Sequence, residues 1–183
     1  MKKLFIIGVL LLLFPLRGLT ASLTHGPVVG GIASDSAILF TRSSVSAVVD
    51  FEYSINSDLS SSTISSPVTT ISGSDFTARI NISGLSANTT YYYTPRIDGV
   101  RALSSPYAKF KTATTVEGDF SFIYLTDFIA GYTDPPTFTN IDAENADFAF
   151  IGGDFDHTDR DGTLADARTN NKDVLNPTTA TFN

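Results

Sequence analysis

Apolar and polar positions change their rhythm three times along the chain. Leu4–Leu16 is almost wholly apolar. From about residue 25 to residue 114 the apolar positions come in short runs separated by turn residues. Within Ala47–Ile55, Val49, Phe51, Tyr53 and Ile55 point one way, while Asp50, Glu52 and Ser54 point the other. That period of two predicts a half-buried strand with a wet outer face. Phe76–Ile82 alternates in the same way, with Phe76, Ala78, Ile80 and Ile82 on the inner face. Val28–Ala33, Ala37–Thr41, Tyr91–Ile97 and Tyr107–Thr112 read as further strands, and Asn56–Pro67 as a polar, Ser-rich connection. Roughly seven strands at this spacing predict an antiparallel sandwich over 25–114.

Beyond the polar link Thr112–Glu117 the alternation stops. Phe120–Leu125 and Asp147–Ile151 are nearly continuous apolar runs, the pattern of parallel strands covered on both faces. Between them, Gly131 and Pro135-Pro136 mark a loop. Thr137–Ala146 then predicts a helix, with Phe138, Ile141 and Ala146 on its apolar stripe and Asp142 and Glu144 toward water. The segment 118–183 thus opens with a β-α-β unit. Leu164–Val174 reads as a further helix, and Asp161-Gly162 and Asn176-Pro177 as turns.

Both apolar strands run into carboxylates. The first leads to Thr126-Asp127; the second leads to Gly152-Gly153-Asp154, with His157 three residues on. Ligands of open α/β sheets gather outside the carboxyl ends of the strands. Two carboxylates and an imidazole placed there suit a metal ion. An Asp after a strand is also a common helix cap or turn residue, and Asp156 reads as a supporting or solvent-facing neighbour. His25, alone beside Gly26-Pro27, reads as part of a mobile leading segment without a functional role.

Composition adds location and exclusions. Met1-Lys2-Lys3, the apolar run and the small residues around Leu19-Thr20-Ala21-Ser22 form a secretory signal pattern, assigned to residues 1–21. The run is shorter than the about 20 residues a membrane span needs. The chain is therefore expected to be secreted, periplasmic or extracellular, with no stable membrane span after signal cleavage; an uncleaved anchor is the alternative. The absence of Cys excludes disulfides, thiolate metal sites and Cys nucleophiles. The net charge of −7 is concentrated late: residues 118–183 carry twelve Asp or Glu against three Lys or Arg. Such a segment repels nucleic acid and favours cations. No basic stripe supports nucleic-acid binding, and neither a phosphate-cradling Gly loop nor a Ser nucleophile elbow occurs. Asn81-Ile82-Ser83 and Asn88-Thr89-Thr90 are glycosylation sequons in a eukaryotic secretory pathway.

Three sets of residues carry a family resemblance. Gly84-Leu85-Ser86-Ala87-Asn88-Thr89-Thr90-Tyr91-Tyr92-Tyr93 resembles the turn of fibronectin type III domains, in which a Leu precedes a corner Tyr by six residues. This implies that the hydroxyl of Tyr91 bonds back to nearby backbone. Ala87 stands where that family usually has Pro. His25-Gly26-Pro27-Val28-Val29-Gly30 and Asp35-Ser36-Ala37-Ile38-Leu39-Phe40-Thr41-Arg42 resemble the opening of PhoD-like alkaline phosphatases. Ala167–Val174 and Pro177–Ala180 resemble a later segment of the same family. Asp127 and Gly153-Asp154 resemble the first two metal motifs of the metallophosphoesterase superfamily.

The resemblance implies a mainly β chain. A fibronectin type III-like domain at 25–114 precedes the first β-α-β part of a truncated α/β metallophosphatase domain at 118–183. It implies metal ligation by Asp127, Asp154 and His157, with Asp154 bridging; the family commonly has Tyr, an iron ligand, at the position of His157. Divalent or trivalent ions (Fe, Ca, Zn or Mn) and a phosphate ester substrate are implied for the full-length enzyme. The later Asn and His ligands of the superfamily do not occur in these residues, so this chain is expected to be inactive. The competing expectation is a secreted fibronectin-type adhesion or binding module without catalysis.

Overall fold

The computed structural model describes residues 20–126, 140, 141, 143–152, 163, 165 and 166. Nine strands precede residue 112. They are β1 (Leu23–Gly30), β2 (Ser36–Ser43), β3 (Val48–Ser54), β4 (Thr63–Ile64), β5 (Val68–Thr69), β6 (Thr77–Ser83), β7 (Thr90–Ile97), β8 (Val100–Arg101) and β9 (Ala108–Lys111). One sheet has the order β1-β2-β6 and the other β4-β3-β7-β8, with β5 paired to β3 and β9 to β7. Every pairing in these two sheets is antiparallel. This is the predicted sandwich of fibronectin type III kind.

The alternation places most of the core as expected, except that Ile55, read with the inner face of β3, lies beyond the strand's end and is 60% exposed. Ala78, Ile80 and Ile82 of β6 are buried between exposed neighbours. Leu39, Phe51, Ile80, Leu85, Tyr93 and Phe110 pack in one cluster, joined by Tyr91, while Ala47, Val49, Ala78 and Ile97 form a second. Aromatic rings line the inner face of the larger sheet, where β7 and β9 are neighbours: Tyr91 stacks on Phe110 at 5.7 Å, and Tyr93 meets the same ring edge-on at 5.7 Å. The predicted corner is present. The Tyr91 hydroxyl accepts a hydrogen bond from the Ser86 backbone N–H at 2.9 Å.

Three expectations about this region are corrected. His25 is not in a mobile leading segment. It lies within β1, 7% exposed, and its carbonyl accepts from the Thr41 hydroxyl at 3.0 Å. The strand begins earlier than its apolar run because irregularities in register around His25 let it continue past Gly26. Gly26 has φ +84°, and a Cβ there would stand 3.0 Å from the Phe40 carbonyl. Second, the outer face of β3 is not wet. Asp50 and Glu52 are 9% and 7% exposed, covered by side chains that arrive from β7, β8 and the β3–β4 connection. Third, Asn56–Pro67 is more than a polar connection. It contains β4, and Leu59, at φ +58°, is 2% exposed.

Two further strands follow, β10 (Phe122–Leu125) and β11 (Phe148–Ile151). They pair in parallel, from Phe122↔Phe148 to Leu125↔Ile151. Of the predicted connecting helix, the described residues show one helical backbone bond, Glu144 N–H to the Asn140 carbonyl at 3.1 Å. The helical backbone ends before Ala146, with Glu144 and Asn145 in a turn and Asn145 at φ +49°; residues 137–139 and 142, and most of the predicted helix Leu164–Val174, lie outside the described residues.

Candidate metal site and its strand platform

Asp127, Asp154 and His157 lie outside the described residues. The structure does describe the platform that leads to them. The last paired residues are Leu125 and Ile151, so Asp127 and Asp154 stand two and three positions further along the sequence. The ladder is closed at this end by the Gly152 N–H, which donates to the Leu125 carbonyl at 2.8 Å. The Tyr124 hydroxyl donates to the Gly152 carbonyl at 3.3 Å. A side chain at position 152 would collide with the Tyr124 ring, which stacks on Phe150 at 5.8 Å. A larger residue at 152 would make the half-exposed Tyr124 ring swing aside. Among the described residues, no group of three or more His, Cys, Asp or Glu is placed to hold a metal.

The opposite end of the pair carries a carboxylate node that the sequence reading passed over. Asp147 Oδ2 accepts from the Ser121 backbone N–H at 3.0 Å and from its hydroxyl at 3.2 Å. The Asp147 N–H returns a bond to the Ser121 carbonyl at 3.1 Å. Lys111 Nζ of β9 approaches Asp147 Oδ1 at 3.3 Å. These contacts, led by the Ser121 backbone bond, hold the Asp147 carboxyl below its ordinary range. In sequence Asp147 looks only like the boundary of an apolar run; its partner Ser121 is identified by the strand pairing alone.

A second charged cluster lies on the outer face of the sandwich. Arg101 grips Glu52 with both arms, Nε to Oε2 at 2.7 Å and Nη2 to Oε1 at 2.6 Å. Ser62 adds a hydrogen bond to Oε1 at 2.5 Å. The hydrogen bonds from Arg101 draw Glu52 down to about 2, against the opposing effect of burial. The Arg101 guanidinium also lies 5.7 Å over the Tyr107 ring. Asp50 faces Arg96 at 3.4 Å without hydrogen-bond geometry, and burial raises its carboxyl above the ordinary range. These carboxylates are tied up with arginines, the arrangement of a structural ion-pair network. A cleft of about 200 Å³ beside Tyr53 and Tyr91 is lined by Ser54, Asn56, Ser61 and Thr63 and contains no ionisable acid or base other than the tyrosines.

The architecture is therefore a fibronectin type III-like sandwich followed by a parallel strand pair. Residues 16–114 match the N-terminal domain of PhoD-like phosphatases, and the chain belongs to that family. Among solved structures, that of PhoD is similar with a TM-score of 0.68 at 17% identity, covering 84% of this chain and 35% of that one. The chain thus spans about a third of the length of that structure. The sensor domain of the anti-sigma factor RsgI4 in Pseudobacteroides cellulosolvens gives a TM-score of 0.41 at 18% identity, over 55% of this chain and 95% of that one. A fibronectin type III domain from human KIAA0970 gives 0.40 at 11% identity, over 55% and 77%. No curated protein sequence matches. Among the described residues, no helix is long and apolar enough to cross a membrane.

Proposed function

We propose that this chain is the N-terminal part of a secreted, metal-dependent phosphatase or phosphodiesterase of the PhoD-like type. The sandwich serves as packing partner, and the strand pair as the first part of the metal platform. The observation that carries the reading is the parallel pairing of β10 with β11. It makes neighbours of two strands whose carboxyl ends lead, within three residues, to Asp127 and Asp154. Parallel neighbours present those ends on the same edge of the sheet, where ligands of open α/β sheets bind.

In this reading Asp127, Asp154 and His157 supply two carboxylates and an imidazole, a donor set suited to Fe, Zn or Mn, with Ca served by the carboxylates. A bound two-metal centre would activate water and neutralise phosphoryl oxygens. The acidic surroundings raise the local concentration of cations and oppose the approach of phosphate until metal is bound. These 183 residues offer three candidate ligands, too few for a two-metal centre. The chain by itself is therefore expected to hydrolyse no phosphate ester above background. The signal pattern at residues 1–21 supports export of the full-length protein.

Calorimetric titration with Zn²⁺ or Mn²⁺ tests the ligand assignment. Asp127→Ala combined with Asp154→Ala should abolish the specific binding step, with the sandwich still folded by circular dichroism. Unchanged affinity in the double variant would remove the metal reading.

A further inference from the structure

The geometry points to Asp147 and Ser121 as a register pin for the β10–β11 pair, and so as positioning residues for the proposed metal ligands. The need for a pin follows from the strands' composition. Register is well specified when one face is apolar and the other polar, and poorly specified when the faces are alike. Here Phe122, Tyr124, Phe148 and Phe150 occupy one face, while Ile123, Leu125, Ala149 and Ile151 alternate with them in sequence. The aromatic face repeats itself every two residues. Phe148 stacks on Phe122 at 5.6 Å, and almost as closely on Phe120 at 5.8 Å.

A slip of two residues would place Phe120 opposite Phe148 and Phe122 opposite Phe150. Rings would still meet rings, and each residue would keep its face. The side-chain pattern alone therefore does not choose between the two registers.

The Ser121–Asp147 contacts do choose. Three hydrogen bonds, from the Ser121 N–H and hydroxyl to the Asp147 carboxylate and from the Asp147 N–H to the Ser121 carbonyl, match these two residues one step before the first ladder pair. In the slipped register Asp119 offers its own backbone N–H and carbonyl in place of those of Ser121, and the bond from the Ser121 hydroxyl is lost outright. The slip also sets Asp119 opposite Asp147, and like charges directly opposite each other disfavour strand pairing. A shift of two residues displaces one strand end against the other by roughly 6–7 Å. The strand ends Leu125 and Ile151, which lead to the proposed ligands, would then no longer stand side by side. This role for the pin rests on the metal reading above; the pin itself does not.

The test is interstrand nuclear Overhauser contacts in the full 183-residue chain. The unmodified chain should show the Phe122–Phe148 and Tyr124–Phe150 backbone pairs alone. Asp147→Ala should lose part of that intensity and gain Phe122–Phe150 contacts. Asp147→Asn keeps an acceptor for Ser121 and should retain the original register, and Lys111→Met should retain it as well. A single unshifted register in Asp147→Ala overturns the proposal, as does slippage in Asp147→Asn equal to that in Asp147→Ala. If Asp147→Ala melts the pair, Ser121→Ala decides: a minor slipped population supports the pin, and an unchanged register overturns it. No metal enters this measurement, so a pinned chain that binds no Zn²⁺ would count against the functional reading alone.

Discussion

The sandwich and the strand pair stack aromatic rings at nearly the same distance, with opposite consequences. Tyr91 and Phe110 lie 5.7 Å apart and are 8% and 5% exposed. Phe122 and Phe148 lie 5.6 Å apart and are 56% and 44% exposed. Ring contact is thus the lesser part of what holds the sandwich together; removal of the rings from water is the greater part. An antiparallel sandwich supplies both of its layers from neighbouring sequence and closes its own core. A parallel pair needs cover on both faces, and two strands alone are marginal.

The first way to break this comparison is to truncate one ring in each region. Phe51→Ala removes a side chain that is 0% exposed and should lower the urea-unfolding stability of the sandwich by about 3–5 kcal/mol. Phe122→Ala should move the same transition by no more than about 0.5 kcal/mol. Equal losses would mean that the two regions share one core. A smaller effect is expected at Gly26, where Ala must adopt φ +84° and crowd the Phe40 carbonyl; a loss of about 2 kcal/mol would follow. Tyr91→Phe leaves the ring in place and orphans the Ser86 N–H, at a cost of about 1 kcal/mol.

Acid sharpens the contrast by acting on the sandwich's ion pairs. Glu52 is held at about 2, below its ordinary 4.5. Its contribution is therefore complete above about pH 4.5 and is lost as pH falls toward 2. Glu52→Gln should flatten the fall of melting temperature across that window. Asp50 is shifted upward by burial and acts in the opposite sense, so Asp50→Asn should steepen the fall. The smallest effect belongs to Lys111→Met. Its pair with Asp147 is 42% and 38% exposed and screened by water and salt, so thermal stability should not measurably change.

Much of the fold was legible before any coordinates. The alternation at Phe76–Ile82 named the buried face of β6, and the Leu85–Tyr91 spacing named the corner hydroxyl. Two unbroken apolar runs announced a parallel pair. These features are local: a period of two, or a spacing of six, is carried by residues that touch along one strand or turn. The candidate ligands Asp127, Asp154 and His157 were legible only as residues following strands, which names chemistry without geometry.

What the sequence by itself determined is where most of the long strands run and which face of the alternating ones is apolar; the short strands β4, β5 and β8 and the early start of β1 were not legible in it. The tertiary structure alone decided how the polar faces are covered. Asp50 and Glu52 look like solvent-facing positions of β3, yet they are buried because Arg96 and Arg101 arrive from more than forty residues away. His25 looks like a loose leader, yet β2 holds it as a strand residue. Tertiary structure also decided the register of β10 on β11, because an aromatic face that repeats every two residues fits itself at more than one offset. Hydrophobic burial is nearly indifferent to such a shift, whereas the hydrogen bond from the Ser121 hydroxyl to Asp147 is satisfied at a single offset.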